Sequence, residues 1–181
     1  MSAVPVTKMH GAHNDFVVID LRRRHTIDLP RFARTVCDRR AGVGADGLLV
    51  IGASVHGDAQ MMVYNADGSQ AEMCGNGARC VARYLSEAGA GDSLVLETAS
   101  GSIHTWIESR DPFNVRVNMG APKFEPISLP YAEGVYVSLG NPHVVIFETD
   151  LDALDLAAVA EKLHADEQFP AGINVHVAVK A

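Results

Sequence analysis

Along most of the chain apolar and polar residues alternate over short runs, the period of strands with one buried face. A helical period replaces it in three places. Val6–His10 and Phe16–Asp20 read as strands joined by a turn over Gly11–Asn14, with Asn14 and Asp15 as typical turn residues. Pro30 opens a helix to about Arg39, with Phe32, Val36 and Cys37 on its apolar side. The loop Ala41–Gly47 leads into a strand at Leu48–Ile51, and Gln60–Tyr64 is the next strand. Asn65-Ala66-Asp67-Gly68-Ser69 is strong turn chemistry. A second helix starts near Gly75 and buries Ala78, Val81, Ala82, Leu85 and Ala88. It turns Arg79, Arg83 and Glu87 outward and stops at Gly89. Strands follow at Leu94–Thr98, Ile103–Glu108 and Asn114–Asn118. Pro122–Pro130 holds three prolines and reads as a connection between domains. Strands at Val135–Leu139 and His143–Phe147, a helix over about Leu151–Leu163 and a strand over Ile173–Val179 complete the pattern.

The last third echoes the first. Ala12-His13-Asn14-Asp15-Phe16-Val17-Val18-Ile19 aligns with Leu139-Gly140-Asn141-Pro142-His143-Val144-Val145-Ile146, so that Asn14 falls on Asn141 and one Val-Val-Ile on the other. A helix, a glycine-bearing loop and an apolar strand follow each copy, which suggests two similar α/β halves, 1–120 and 121–181. Cys74 lies 60 residues after Asn14; the same step from Asn141 ends near position 201. The second half is therefore expected to be incomplete.

Composition narrows the function classes. The 181 residues are 48% hydrophobic and 20% charged, as in a globular protein with a real core, and the net charge of -7 argues against a nucleic-acid partner. Arg22–Arg24 and Arg39–Arg40 read as solvated loop charges. The first twenty residues lack a signal-peptide apolar core, and runs such as Gly47–Ile51 and Val144–Phe147 are strand-sized, too short to span a bilayer. Three cysteines are too few for a disulfide framework. A reduced, cytoplasmic protein is expected.

The candidate chemistry centres on Cys74. The N–H groups of Gly75, Asn76 and Gly77 would be the unpaired donors of a helix N-terminus, which together with the helix dipole stabilise an anion and favour a thiolate. The glycines flanking Asn76 let a ligand approach the backbone. A free cysteine is most often a small core residue, and that is the reading for Cys80 and Cys37. For Cys74 the polar turn before it and the glycines after it favour function. Gly42-Val43-Gly44-Ala45-Asp46-Gly47 matches G-x-G-x-x-G but follows a helix and precedes a strand, the reverse of a dinucleotide site. His10 and His13 lack a partner for a metal. Asn14, Asn65, Asn76, Asn141 and Asn174 sit in turns or beside glycine. Asparagine is an ordinary turn former, yet their placement at equivalent points of two halves suits amides that hold a zwitterionic amino acid.

The stretches KMHGAHNDFVVID, DRRAGVGADGLLV, YNADGSQAEMCGNGARCVARYL and SLGNPHVVIF resemble diaminopimelate epimerase, and the resemblance runs from Lys8 to about Val179. It implies two pseudo-symmetric α/β domains, each a curved, mostly antiparallel sheet around a central helix, with the active site in the cleft between them. It implies an isomerase without pyridoxal phosphate, metal or other cofactor. Such an enzyme interconverts LL- and meso-diaminopimelate for lysine and peptidoglycan synthesis, using two cysteines on opposite faces of the α-carbon. By matching motif, Cys74 is one of these cysteines. Asn14, Asn65, Asn141 and Asn174 resemble substrate-contacting asparagines, Gly75 and Asn76 a backbone cradle for the carboxylate, and His143 a histidine that supports the catalytic site. Gly47 falls where some members carry a substrate-contacting glutamine. The family's second Cys-Gly-Thr-Gly motif has no match in these residues, so the chain alone is expected to be inactive. A homodimer stands open, as do a racemase of another amino acid and a non-catalytic half-protein.

Overall fold

The computed structural model describes residues 4–23, 27–129, 132–139, 142–151, 154–170 and 172–179. The chain divides into two units, 1–119 and 120–181. In the first, β1 (Thr7–Gly11), β2 (Asn14–Asp20), α1 (Leu29–Cys37), β3 (Gly47–Gly52), β4 (Ala59–Asn65), β5 (Gln70–Ala71), α2 (Gly75–Glu87), β6 (Ser93–Thr98), β7 (Gly101–Arg110) and β8 (Phe113–Asn118) follow one another. The sheet runs β1-β2-β3-β4-β6-β7-β8, with β5 appended to β4. Only β2/β3 and β4/β6 are parallel. Helix α2 packs on β1 at one edge and on β8 at the other, as well as on strands between, so the sheet curls around it.

β3 shows why. All six of its residues are buried, because each face of the strand meets a different core. Leu49 and Ile51 join Met61, Val81, Ala82 and Leu85 beneath α2. Leu48 and Val50 join Val17, Ile19, Ala33, Val36 and Cys37 beneath α1. A strand covered on both faces reads as an unbroken apolar run, which is what Leu48–Ile51 is. Cys37 and Cys80 are core residues, as their positions on the helices suggest. Ala88, expected in the α2 stripe, is exposed, because the helix ends at Glu87 and Gly89 turns the chain at φ 93°.

The first hairpin is tighter than the pattern suggests. Ala12 and His13 alone make the turn, both at positive φ (48° and 67°), the twist that suits two-residue hairpins. Asn14 therefore begins β2 and is not a turn residue. Asn65 closes β4 and Asn174 opens β12, while Asn76 lies in the first turn of α2. Most of these asparagines are thus strand-end residues, which the turn chemistry around them hides.

In the second unit, β9 (Lys123–Leu129), β10 (Ala132–Ser138), β11 (Pro142–Glu148), α3 (Leu156–His164) and β12 (Asn174–Val179) form a sheet ordered β12-β11-β10-β9 with one helix. Pro122–Pro130 is not a linker: most of it is β9, paired along β10. β9 is an edge strand, where Pro126, opposite Val135, removes no ladder hydrogen bond from a further neighbour. α3 begins at Leu156 rather than Leu151 because the Asp155 carboxylate caps it, accepting from the Ala158 N–H. Leu163 anchors it over Val144, Ile146 and Ile173.

The two units share one motif. β1-β2-α1-β3 and β10-β11-α3-β12 each run antiparallel pair, helix, parallel strand. A step of 127 residues carries the cap Asp28 to the cap Asp155 and Leu29–Cys37 to Leu156–His164. The same step carries the cross-strand pair Phe16–Gly47 to His143–Asn174. α3 thus answers to α1. Among the described residues the second unit has no counterpart of α2.

Candidate active site

Cys74 is the N-cap of α2. Its backbone is extended (φ -145°, ψ 110°), and its Sγ accepts from the Gly77 N–H at 3.4 Å. A side chain at Gly77 has no room: its Cβ would lie 2.8 Å from Leu49 Cδ2. Gly11, at the end of β1, presses on the same helical turn, where a Cβ would lie 3.0 Å from the Asn76 carbonyl oxygen. The glycines therefore do more than permit a turn. They let the sheet and the hairpin close on the start of the helix.

Cys74 is the half-buried thiol of the three, and Cys37 and Cys80 are buried. Burial pushes the Cys80 thiol up to about 11, with the nearby Cys74 adding to it, and burial also raises Cys37. Both are held as neutral thiols, poor nucleophiles and poor bases.

Register brings two of the asparagines to one end of the sheet. Phe16 pairs with Gly47 and Gly47 with Asn65, so the start of β2 and the end of β4 flank the start of β3. Asn14 Oδ1 accepts from Asn76 Nδ2 at 2.9 Å, which ties this end to the first turn of α2. Asn65 Nδ2 donates to Ser69 Oγ at 2.9 Å, and Asp67 accepts from both the N–H and the hydroxyl of Ser69, which fixes the turn between β4 and β5. At Gly47 a Cβ would lie 2.8 Å from the Tyr64 carbonyl oxygen, so no side chain fits there.

Behind Asn14 stands a cluster of charge. Asn14 Nδ2 donates to Asp46 Oδ2 at 3.3 Å. Arg39 bridges Asp46 and Asp15 at 2.7 Å each, and Lys8 reaches Asp15 and the Gly44 carbonyl. Arg39 is thus exposed but not merely solvated. Arg22 likewise grips Asp20 with two nitrogens. The Arg39 guanidinium, then Lys8, hold the Asp15 carboxyl well below the usual carboxylate range, and Asp15 in turn raises Arg39. A depressed carboxyl contributes stability that is full above its unfolded value of about 3.9 and is lost as pH falls from there through its folded value. Acid titration of the thermal midpoint should show that loss, and Asp15→Asn should flatten it.

Asp15, Arg39 and Asp46 were not candidates from the sequence. Asp46 lies inside the G-x-G-x-x-G match, in a loop whose glycines alone carry the sequence pattern. The loop is the connection from α1 to β3, with Gly44 at φ 77°.

In the second unit His143, the second residue of β11, has its Nδ1 2.9 Å from His176 Nε2 on β12. Which ring donates in this contact is set by the tautomer of each. Burial lowers the His143 pKa, with His176 adding to the effect. Asn174 lies opposite His143 and donates to the Pro142 carbonyl at 3.0 Å. His176 had no signal in the sequence. Asn141 lies outside the described residues.

A hollow of about 690 Å³ runs along α2 in the first unit, lined by residues including Thr7, Gly11, Arg79, Arg83, Glu108 and Asn114. Cys74 does not line it. Among the described residues no group of three or more histidine, cysteine or acidic side chains is gathered to hold a metal ion. Among them, too, no helix is long and apolar enough to cross a membrane.

Residues 6–125 match the family model described as diaminopimelate epimerase. A diaminopimelate epimerase of Archaeoglobus fulgidus is 39% identical over 194 residues, which cover 97% of this chain and 69% of that protein. One of Methanocella arvoryzae is 39% identical over 196 residues, covering 97% and 70%. Among solved structures, a PhzF-family phenazine biosynthesis protein of Bacillus anthracis superposes with a TM-score of 0.71 at 18% identity, over 99% of this chain and 68% of its own. A hydroxyproline epimerase of Agrobacterium vitis gives a TM-score of 0.62 at 16% identity, over 88% and 56%. At those identities the likeness is one of fold.

Proposed function

The chain belongs to the diaminopimelate epimerase family, and from that premise we propose that this isomerase interconverts LL- and meso-diaminopimelate, with Cys74 as one of two acid/base thiols. The observation that carries the reading is the place of Cys74: a half-buried sulfur at the cap of α2, bonded to the Gly77 N–H, beside the Asn14–Asn76 amide pair.

The chemistry follows from that place. Removing the α-proton of an amino acid leaves charge that spreads into its carboxylate. The N–H groups at the start of α2 and the helix dipole favour that charge where it develops. The Cys74 thiolate takes the proton from one face, and a thiol on the other face supplies the replacement. Neither Cys37 nor Cys80 can be that thiol, since both lie in the core of the first unit. Inversion therefore needs a second thiol that these 181 residues do not carry. In this reading Asn65 and Asn174 serve as ligand contacts and His143 as a supporting histidine. The reaction takes place in the cytoplasm on a free amino acid, in lysine biosynthesis, with neither nucleic acid nor membrane as a partner.

Incubation with LL- and meso-diaminopimelate in D₂O, followed by NMR, tests this. Deuterium should enter at the α-carbon without net inversion by the 181 residues alone. Net inversion by this chain at ordinary enzyme rates would refute the two-thiol mechanism. Exchange on another amino acid and none on diaminopimelate would refute the substrate.

A further inference from the structure

The two amides beside Cys74 have a direction. Arg79 donates to Asn76 Oδ1 at 3.4 Å, Asn76 Nδ2 to Asn14 Oδ1 at 2.9 Å, and Asn14 Nδ2 to Asp46 Oδ2 at 3.3 Å. Every donor in this chain points the same way, and the chain ends on a carboxylate. An asparagine amide is nearly symmetric in shape, so its partners alone decide which end faces which way. At the far end Arg79, which can only donate, meets Asn76 Oδ1 at the longer distance of 3.4 Å. Ionised Asp46 can only accept.

We propose that Asp46 is a positioning residue for the site, its carboxylate fixing the Asn14 amide with Nδ2 towards Asp46 and, together with Arg79 at the far end, the Asn76 amide with Nδ2 towards Asn14. Two contacts hold the carboxylate itself and a third holds its backbone. The Asp15 N–H donates to Oδ2 at 3.1 Å, Arg39 donates to Oδ1 at 2.7 Å, and the Asp46 N–H is anchored on the Asp15 carbonyl at 3.0 Å. Hydrogen bonds aligned head to tail polarise one another, so the carboxylate strengthens the Asn14–Asn76 bond as well as its own. With both amides set this way, each has a second N–H for an acceptor on the ligand, which suits the carboxylate of an amino acid. The consequence for ligand binding rests on the function proposed above; the orientation does not.

A purely structural role for Asp46, as an ion-pair partner bracing the loop before β3, makes a different prediction. Arg39→Gln removes that ion pair and leaves the acceptor at Asn14. Asp46→Asn leaves a neutral amide that can donate or accept, so the direction is no longer set at the Asn14 end. The side-chain NH₂ resonances of Asn14 and Asn76, read by ¹⁵N NMR on the full chain, separate the two. Both pairs should move in Asp46→Asn and stay at their wild-type positions in Arg39→Gln, even where the two variants melt at similarly lowered temperatures. Binding of LL-diaminopimelate, measured by calorimetry, should weaken about tenfold in Asp46→Asn and far less in Arg39→Gln. Unmoved amide signals in Asp46→Asn, or equal movement in both variants, would overturn the proposal. If Asp46→Asn does not fold, Asp46→Ser is read in the same way. If the signals move as expected but the wild-type protein binds no diaminopimelate, the substrate assignment falls and the positioning role stands.

Discussion

Cys74→Ala should lower α-proton exchange on diaminopimelate by about 10³-fold while the protein still folds, since a positioned acid/base group contributes roughly 10²–10⁴-fold. The alanine loses the base and the sulfur that accepts from the Gly77 N–H. An oxygen cap replaced by alanine costs about 0.5–2 kcal/mol, and the weaker sulfur cap should cost no more than that. Cys74→Ser separates the two effects. A serine oxygen caps a helix better than sulfur does, so this variant should be at least as stable as the wild type. Its hydroxyl is far weaker as a base at neutral pH, so exchange should fall nearly as far as in the alanine variant. Circular dichroism and melting read the first effect and deuterium exchange the second. Serine with full exchange activity would remove Cys74 from the mechanism.

Leu49→Ala should be among the most destabilising single changes in the first unit, at about 2–5 kcal/mol for a fully buried leucine truncated in a packed core. Gly77→Ala should also destabilise, though two effects oppose each other there. Alanine in a helix gains up to about 1 kcal/mol over glycine. The new Cβ, however, would stand 2.8 Å from Leu49 Cδ2, and forcing a methyl into a filled core costs about 1–3 kcal/mol. The clash wins because Leu49 has no solvent to move into. The two residues share one space, so the double variant should cost less than the two single costs combined, by at least about 0.5 kcal/mol in denaturant titrations. Simple additivity would mean that the helix can shift away from the sheet to accommodate the methyl.

Those two residues also show what the sequence could and could not carry. The helix beginning at Gly75, its buried face and its stop at Gly89 follow from the period of apolar residues and from glycine chemistry, both local properties. The repeat was legible as Val-Val-Ile on Val-Val-Ile, and the caps Asp28 and Asp155 extend it. The place of Cys74 at a helix cap was legible because a helix terminus writes its own donors into the sequence. The contact between Gly77 and Leu49 was not, because it joins residues that are adjacent only after the sheet has curled. Asp46 failed to register for the same reason: its partners Asn14, Asp15 and Arg39 come from three other stretches of chain. Pro122–Pro130 was misread because proline marks both linkers and edge strands, and only pairing with β10 decides between them.

A helix that touches both margins of the sheet wrapped around it also bears on how the site breathes. Fraying can loosen one strand of such a sheet at a time, but α2 is held by β1 and β8 together and by strands between them. Releasing it requires most of the unit to open, so the amides of its middle turns should belong to the slowest-exchanging class, with opening free energies close to that of global unfolding. The thiol at its cap is therefore mounted on one of the least mobile pieces of the unit. Reagents that modify Cys74 must reach it in the closed protein, and their rates report the accessibility of the native site rather than any transient opening of the fold.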